Sequence, residues 1–518
     1  MQELGRMIKK LCSKLFSRIV ITGVLILIQA AWFWSLFTSL SSYAHWLNPL
    51  MIALSVIMCA VLIRQDSTAP EFKISWMVLF MIMPVQGGLL YLLWGDKRPA
   101  FRLRKKLDWA YDRIRPLRRT DPAAQAMLEQ ANPRAGRTAA YLRDFAAYPV
   151  YSGTNVKFYA SGEAVFPDLL EALESAQESI LLEFFIISKG KMWDAVHDVL
   201  RRKAAQGVDV RMIYDDVGCA TGLPAQYWKT LQVEGIQAVP FNPFVPLLNL
   251  VMNSRDHRKI VVVDGKTAFT GGFNLADEYI NQKERFGYWC DTGVRLQGPA
   301  AWSFATIFLE LWASQRPDDP GLDAYREEQP FPAEEPTIGL VQPYSDSPVD
   351  DETVSKNVYL DLITQAQETL WITTPYLAID EPMIRTLCIA ADSGVDVRLM
   401  LPGIPDHKFA YMVAQSYFGE LLQHGVKIYT YTPGLLHAKS VVADGEMGFV
   451  GSVNMDYRSF QLHFECGTLF TGSAVAAVQE DMDDILEKSR RVTLAAWRKR
   501  KWYVKILGAV LRPFAMWM

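Results

Sequence analysis

Two histidines, two lysines and two asparagines recur in this chain at matching spacings. His257 and Lys259 are separated by one residue and lead into Asp264-Gly265; His437 and Lys439 are separated by one residue and lead into Asp444-Gly445. On an extended strand, side chains two residues apart share a face, so the imidazole and the ammonium of each pair point into one space while Arg258 points away. Asn274, in Gly271-Gly272-Phe273-Asn274, matches Asn454 in Gly451-Ser452-Val453-Asn454. An acid follows in each copy, Asp291 in the first and Glu465 in the second. A single such motif is ordinarily the polar rim of a half-buried strand. Two copies with the same asparagine and acid downstream form a chemical constellation. Lysines supply positive charge and asparagine amides supply donors, which together suit a tetrahedral phosphate whose charge grows in the transition state. One imidazole can attack phosphorus and form a phosphohistidine. The other can protonate the leaving alcohol and deprotonate the incoming one, and an ordinary imidazole pKa of about 6.5 permits both near neutrality. No carboxylate cluster marks a metal site, so neither metal nor cofactor is expected.

These motifs sit on a two-fold internal repeat. Ala172 to Glu183 and Gly207 to Tyr214 in the first copy match Ile363 to Thr373 and Gly394 to Leu401 in the second. Each copy reads helix, apolar strand, helix, glycine, strand, and Gly207 and Gly394 fit helix C-caps. Short strands alternating with helices predict an α/β fold, with two pseudo-symmetric halves sharing one composite site. Glu183-Phe184-Phe185 and Tyr376 occupy equivalent strand ends, where such sheets border clefts, and are candidates to line the pocket. The stretch from Arg316 to Pro336 is rich in proline and acid and reads as the connection between halves. The apolar, Pro-broken loop from Asn242 to Val251 could equally dip into lipid or be buried.

The paired motifs resemble those of the phospholipase D superfamily. Asp256-His257-Arg258-Lys259 through Asn274 to Tyr279, and His437-Ala438-Lys439-Ser440 through Asn454 to Glu465, are similar to the bacterial cardiolipin synthase branch. Pro84-Val85-Gln86-Gly87 with Tyr91 to Gly95 resembles that branch's membrane segment. Two departures touch the flanks: Asp256 and His463 stand where the family often has Asn, and either could shift substrate preference. The resemblance implies two phospholipase-D-like halves and condensation of two phosphatidylglycerol molecules to cardiolipin and glycerol. It implies a catalytic set of His257, Lys259, Asp264, His437, Lys439 and Asp444. Lys259, Asn274, Lys439 and Asn454 would bind phosphate, with Asp291, Glu465, Gly272 and Ser452 in support. Asp291 and Glu465 would accept from an imidazole N–H, and Asp264 and Asp444 would play a structural part. By family analogy His257 attacks and His437 moves protons, although the near-symmetric motifs leave that order open. Water or another alcohol as acceptor, and a membrane-tethered nuclease, remain as alternatives at this point.

The bulk properties fit a membrane enzyme. The chain has 518 residues, half of them hydrophobic, and a net charge of −3. That balance does not suggest a nucleic-acid partner. Apolar runs from Ile19 to Phe37, Leu47 to Ile63 and Ile74 to Trp94 approach the length of about 20 residues that a bilayer requires. Basic residues from Arg6 to Arg18 and from Lys97 to Arg119 both favour the cytoplasm, so one run is expected not to cross. Pro84, Gly87 and Gly88 interrupt the third run, which suits a re-entrant or interfacial segment. The expected organisation is a helical transmembrane region over 1–95, a basic linker over 96–140, halves at 141–316 and 346–490 joined by 317–345, and a basic amphipathic segment over 491–518. The expected location is the cell membrane, multi-pass, with the catalytic body facing the cytosol. Phosphatidylglycerol and cardiolipin are the expected partners, with anionic headgroups at the basic segments; homo-oligomerisation is left open. Arg498 to Lys501 followed by Trp502 to Met518 suits an interfacial helix on anionic lipid or a helix packed on the body. The six cysteines form no C-x-x-C pair and read as reduced thiols.

Overall fold

The structure, a computed structural model, describes residues 44–64, 70–84, 87–88, 91, 101–243, 254–319, 339–350 and 352–517. It divides into two units, Met1–Gly95 and Asp96–Met518. The apolar run from Ile19 to Phe37, most of the loop from Asn242 to Val251 and most of the acidic connection lie outside the described residues.

In the first unit, helices Ala44–Ile63 and Pro70–Ile82 pack around Leu62, Trp76, Phe80 and Tyr91. The Tyr91 ring stands edge-on to Trp76 and Phe80 at 5.1 and 5.5 Å. The second helix ends at Ile82, just ahead of Pro84, as the interrupted third run leads one to expect. Among the described residues, no helix is long and apolar enough to cross a membrane.

The second unit contains two sheets built to one plan. The first runs in the order Asn155–Tyr159, Gly293–Gln297, Thr267–Gly271, Lys259–Val263, Ser179–Phe184, Asp209–Asp215, Gln237–Phe241. The second repeats that order as Val341–Asp346, His463–Thr471, Met447–Gly451, Ser440–Ala443, Thr369–Thr373, Asp396–Pro402, Lys427–Tyr431, and adds Ser489–Val492 at its edge. Strand directions repeat as well. Ser179–Phe184 and Thr369–Thr373 each pair antiparallel with the motif strand on one side and parallel with the next strand on the other. The motif strands are apolar and buried along their length, because helices cover both sheet faces.

Val341–Asp346 begins the second sheet inside the stretch read as a connection. Its Pro343 and polar residues hide it as a strand, and such a sequence is tolerated because the strand lies at the sheet edge, paired along its length with His463–Thr471 and bridged on the other side at Val341 to Tyr151.

Two helices tie the halves together. Ala301–Gln315 is apolar around its whole circumference and is accordingly buried. It touches strands of the first sheet and also Val341–Asp346. Ser473–Glu487 mirrors it, touching strands of the second sheet and Asn155–Tyr159 of the first. Two short segments also cross over. Arg255–Asp256 pairs in parallel with His463–Phe464, and Gly434–Leu436 pairs in parallel with Tyr288–Cys290.

Candidate active site

Each crossing segment delivers a motif histidine to the opposite half. The His257 N–H donates to the Phe464 carbonyl at 2.9 Å, and the His437 N–H donates to the Cys290 carbonyl at 2.7 Å. The residue after each acceptor is the acid of that half. His257 Nδ1 therefore lies 2.9 Å from Glu465 Oε1, and His437 Nδ1 lies 2.7 Å from Asp291 Oδ2. All four side chains are buried. Each histidine of one half is thus oriented by the carboxyl of the other, and Nε2 of both is left to react. The sequence suggests that these acids serve imidazoles; the exchange between halves needs the crossing strands to be seen.

The lysines stand in the same space. Lys259 and Lys439 are buried, and each Nζ donates to the carbonyl of its own motif histidine. Lys439 Nζ also lies 2.9 Å from His437 Nδ1. Burial is the main force on their ionisation, since a dry site disfavours charge. It lowers Lys259 to about 8 and Lys439 to about 7, against the attraction of Glu465 and Asp291 and, for Lys439, with the repulsion of Lys259. His257 is pushed well below its ordinary value by burial, then by Lys259, Lys439, His437 and Arg458. His437 is lowered by burial and Lys439, but Asp291 and Asp406 pull it back up. The site therefore gathers two lysines and two imidazoles, whose charged forms burial disfavours, around two carboxyls.

The asparagines diverge. Asn274 Oδ1 accepts from the Ile186 N–H at 2.9 Å, and its Nδ2 donates to the Tyr279 hydroxyl at 2.7 Å. It fixes a strand end and a ring that stands edge-on to His437 at 5.6 Å. The Asn454 backbone N–H donates to Ser459 Oγ at 3.1 Å, while its buried Oδ1 has no partner. Gly272 is dictated by space, because a Cβ there would meet Asp291 Oδ1 at 2.0 Å. Its counterpart Ser452 instead donates its hydroxyl to Glu465 Oε2.

Asp264 and Asp444, grouped with the catalytic residues in the sequence, are not brought into the site. They close the far ends of the motif strands with φ of 51° and 52°, the left-handed conformation that an Asp-Gly hairpin turn requires. Asp264 accepts from the N–H groups of Gln177, Glu178 and Ser179, and Asp444 from those of Gln367, Glu368 and Thr369. These carboxyls anchor the helix-to-strand turn of their half. Their place in the motif reflects the fold.

Aromatic rings wall the pocket. Phe185 stands edge-on to His257 at 4.9 Å, and Trp289 lies 5.4 Å from His437. Phe185 was legible as a strand end; Tyr279 and Trp289 were not singled out, although both lie between the Asn274 and Asp291 signals. Glu183 faces the other way and pairs with Arg258 at 2.6 Å. The Tyr376 hydroxyl donates to Asp406 Oδ2 at 2.5 Å, placing it beside the group whose charge reaches His437 and Lys439. His463 lies 5.4 Å from His257 and accepts from Arg458 Nε at 3.3 Å; burial, the largest cause, lowers it to about 3. His257, His463 and Glu465 offer ligand atoms within 4.8 Å of one another. Lys259, Lys439 and Arg458 bear on the same imidazole, and their repulsion opposes a dication there, so the donor set fits an anion better than a metal. Of the histidines without a motif, His197 pairs with Glu234 and His424 with Asp392, away from the site. Cys59, Cys219, Cys290, Cys388 and Cys466 are free thiols.

The family profile described as cardiolipin synthase, phospholipase-D-like domain, matches residues 169–311 and 359–486. A second profile, described as phospholipase D-nuclease N-terminal, matches residues 53–95. A cardiolipin synthase of Halalkalibacterium halodurans is 32% identical over 471 residues, covering 89% of this chain and 92% of the relative. That of Geobacillus thermodenitrificans is 34% identical over 466 residues, with the same coverage of 89% and 92%. An uncharacterized protein of Streptococcus mutans is 39% identical over 448 residues, 85% of this chain and 95% of the relative. The fold is similar to that of a phosphatidylserine synthase of Haemophilus influenzae, with a TM-score of 0.53 and 16% identity over 73% of this chain and 96% of that one. With both histidine motifs inside the matched halves, the chain belongs to the cardiolipin synthase family of the phospholipase D superfamily.

Proposed function

We propose that this protein transfers a phosphatidyl group from one phosphatidylglycerol to a second, giving cardiolipin and glycerol. The observation that carries the proposal is the pair of crossed dyads, His257 with Glu465 and His437 with Asp291, set among two buried lysines. Nδ1 of His257 is engaged by a carboxyl, which presents the Nε2 lone pair to phosphorus. In the first step the Nε2–P bond forms, the bond from phosphorus to the headgroup glycerol breaks, and His437 supplies the proton that leaves with glycerol. In the second, His437 takes the proton from a hydroxyl of the incoming phosphatidylglycerol, whose oxygen attacks phosphorus. The P–N bond breaks and His257 is restored. Burial is the main cause that lowers the free imidazoles and ammoniums, and the negative charge of a bound phosphodiester counters it and the repulsion among them. Substrate therefore raises His437 towards the protonated form that an acid needs, and Asp291 assists. His257, held further down, remains the unprotonated nucleophile. Lys259, Lys439 and Asn454 neutralise and bind the phosphate oxygens, and Asn274 positions Tyr279.

The acceptor is assigned to lipid because the named relatives that cover most of the chain are cardiolipin synthases. The membrane anchor is assigned to residues 1–95, whose helix Ala44–Ile63 exposes Leu50, Ile52, Val56, Ile57 and Val61. The basic blocks on either side support a cytosolic position for the catalytic halves. Labelling of a Ser42→Cys variant from outside, with a body position labelled only from inside, supports this topology; labelling of the body from outside overturns it.

The test of activity uses detergent-solubilised enzyme and phosphatidylglycerol with a chelator present, following cardiolipin, phosphatidic acid and glycerol together. Cardiolipin and glycerol in equal amounts, lost in His257→Ala and His437→Ala, are expected. Phosphatidic acid without cardiolipin would make water the acceptor and overturn the synthase reading.

A further inference from the structure

The C-terminal segment of the catalytic unit is apolar on the wrong side. Helix Trp502–Leu511 packs through Gly508 on helix Lys408–Gln423, where a Cβ at Gly508 would already approach the Met412 carbonyl at 3.1 Å. Trp497, just upstream, donates from Nε1 to the Gln415 carbonyl at 2.7 Å and fixes the same junction. Residues four apart share a helix face, so Trp502, Ile506 and Val510 form one stripe on the side away from Gly508. That stripe is 73%, 57% and 57% exposed, and Tyr503 widens it. A helix that is apolar on its outward face as well as its packed one needs cover. The supporting helix adds Phe409 in its first turn, 62% exposed. Its N-terminus follows directly on Asp406, which accepts from Tyr376 and whose charge bears on His437 and Lys439. The helix that supports the stripe thus begins beside the segment whose Asp406 bears on the site.

Charge selects the occupant. From Ser489 to Met518 the chain carries eight Lys and Arg and no Asp or Glu. Lys501 and Lys505 are exposed beside the stripe, and Arg498 and Lys499 precede it. An apolar aromatic stripe on a segment with no acid of its own, the neighbouring Glu420 being paired with Arg512, fits the interface of an anionic bilayer, with Trp502 and Tyr503 at headgroup depth and lysines at the phosphates.

We infer that Trp502–Leu511 and the start of Lys408–Gln423 form a docking face that seats the catalytic unit on an anionic bilayer. The inference deepens the reading of the substrate as a membrane phospholipid and rests on it. The test uses the full chain in proteoliposomes, with Cys12 and Cys59 replaced by Ser. An environment-sensitive fluorophore is placed at Ile506→Cys or, as reference, at Val233→Cys, which is exposed elsewhere. Quenching by nitroxide-bearing lipid at position 506 and not at 233, deeper with phosphatidylglycerol than with phosphatidylcholine alone, is the expected result. Absence of lipid quenching overturns the proposal. So does shielding that rises only with protein concentration, which would mean a second copy of the chain, and so does equal quenching in both lipids. An Ile506→Glu/Val510→Glu variant should raise KM on vesicles on the order of tenfold, with activity in detergent micelles unchanged. Fluorescence needs no turnover, so quenching without cardiolipin formation would retain the docking face and sink the transferase reading.

Discussion

The two histidine pockets share a skeleton and differ in what surrounds the ring. Around His257 stand Phe185, His463 and a Glu465 held by the Ser452 hydroxyl. Around His437 stand Tyr279, Trp289 and an Asp291 that leaves room only for Gly272. Burial, Lys259, Lys439, His437 and Arg458 hold His257 well below its ordinary value, whereas at His437 Asp291 and Asp406 offset part of the lowering. Duplication supplies a frame with two equivalent positions. The side chains packed on that frame divide the labour, favouring an unprotonated nucleophile on one side and a proton carrier on the other.

The hardest blow to that division is removal of either ring. His257→Ala should lower kcat by at least about 10⁴-fold and form no covalent intermediate. His437→Ala should lose about 10²–10⁴-fold, with a covalent intermediate still formed but turned over slowly. Equal kinetics with no intermediate in both variants would mean that the pockets are not differentiated. The supports of the two acids sharpen the contrast further. Gly272→Ala drives a methyl into Asp291, and the displaced His437 should cost about 10²-fold in kcat. Ser452→Ala removes one hydrogen bond from Glu465 and should cost about tenfold or less. Steady-state kinetics on both variants checks the order, and a larger loss at Ser452 would reverse the account of the two acids.

The pH profile reads both pockets at once. Lys439 near 7 and Lys259 near 8 mean that the free site loses positive charge as pH rises through this range. Since kcat/KM reports free enzyme, its alkaline side should fall first below the ordinary histidine value, where His437 gives up its proton, and again from about 7 to 8 as the lysines lose charge, by up to tenfold per pH unit. Its acid limb should lie below the ordinary histidine value, because a depressed His257 stays unprotonated there. Lys439→Arg keeps its charge throughout and should move the alkaline limb upward. The smallest effect on chemistry is expected at the far end of the motif. Asp264→Ala removes the acceptor for three backbone N–H groups. It should cost about 2 kcal/mol of stability, seen as a lower Tm, with kcat per folded molecule unchanged. A kcat loss at full folding would return Asp264 to the active site.

The repeated sequence made the two-sheet plan legible because helix, strand and glycine recur in the same order in both copies. The paired His-x-Lys motifs made the phosphate chemistry legible because two residues on one strand face must share a space. What stayed hidden depends on tertiary crossings. Nothing in the chain order indicates that Arg255–Asp256 and Gly434–Leu436 pair with the opposite half, so the exchange of acids between histidines is visible only in the fold. Asp264 and Asp444 were grouped with the catalytic set although a structural part was expected of them, because spacing does not distinguish a residue at the site end of a strand from one at its turn. Val341–Asp346 was obscured by Pro343, which an edge strand tolerates and a central one does not.

The central claim is that His257 carries the phosphatidyl group. Radiolabelled phosphatidylglycerol mixed with His437→Ala enzyme, quenched at short times and digested, should yield label on a peptide containing His257, acid-labile and alkali-stable as a phosphoramidate. Label on a peptide containing Ser452, or none on any peptide while cardiolipin still forms, would contradict the covalent mechanism.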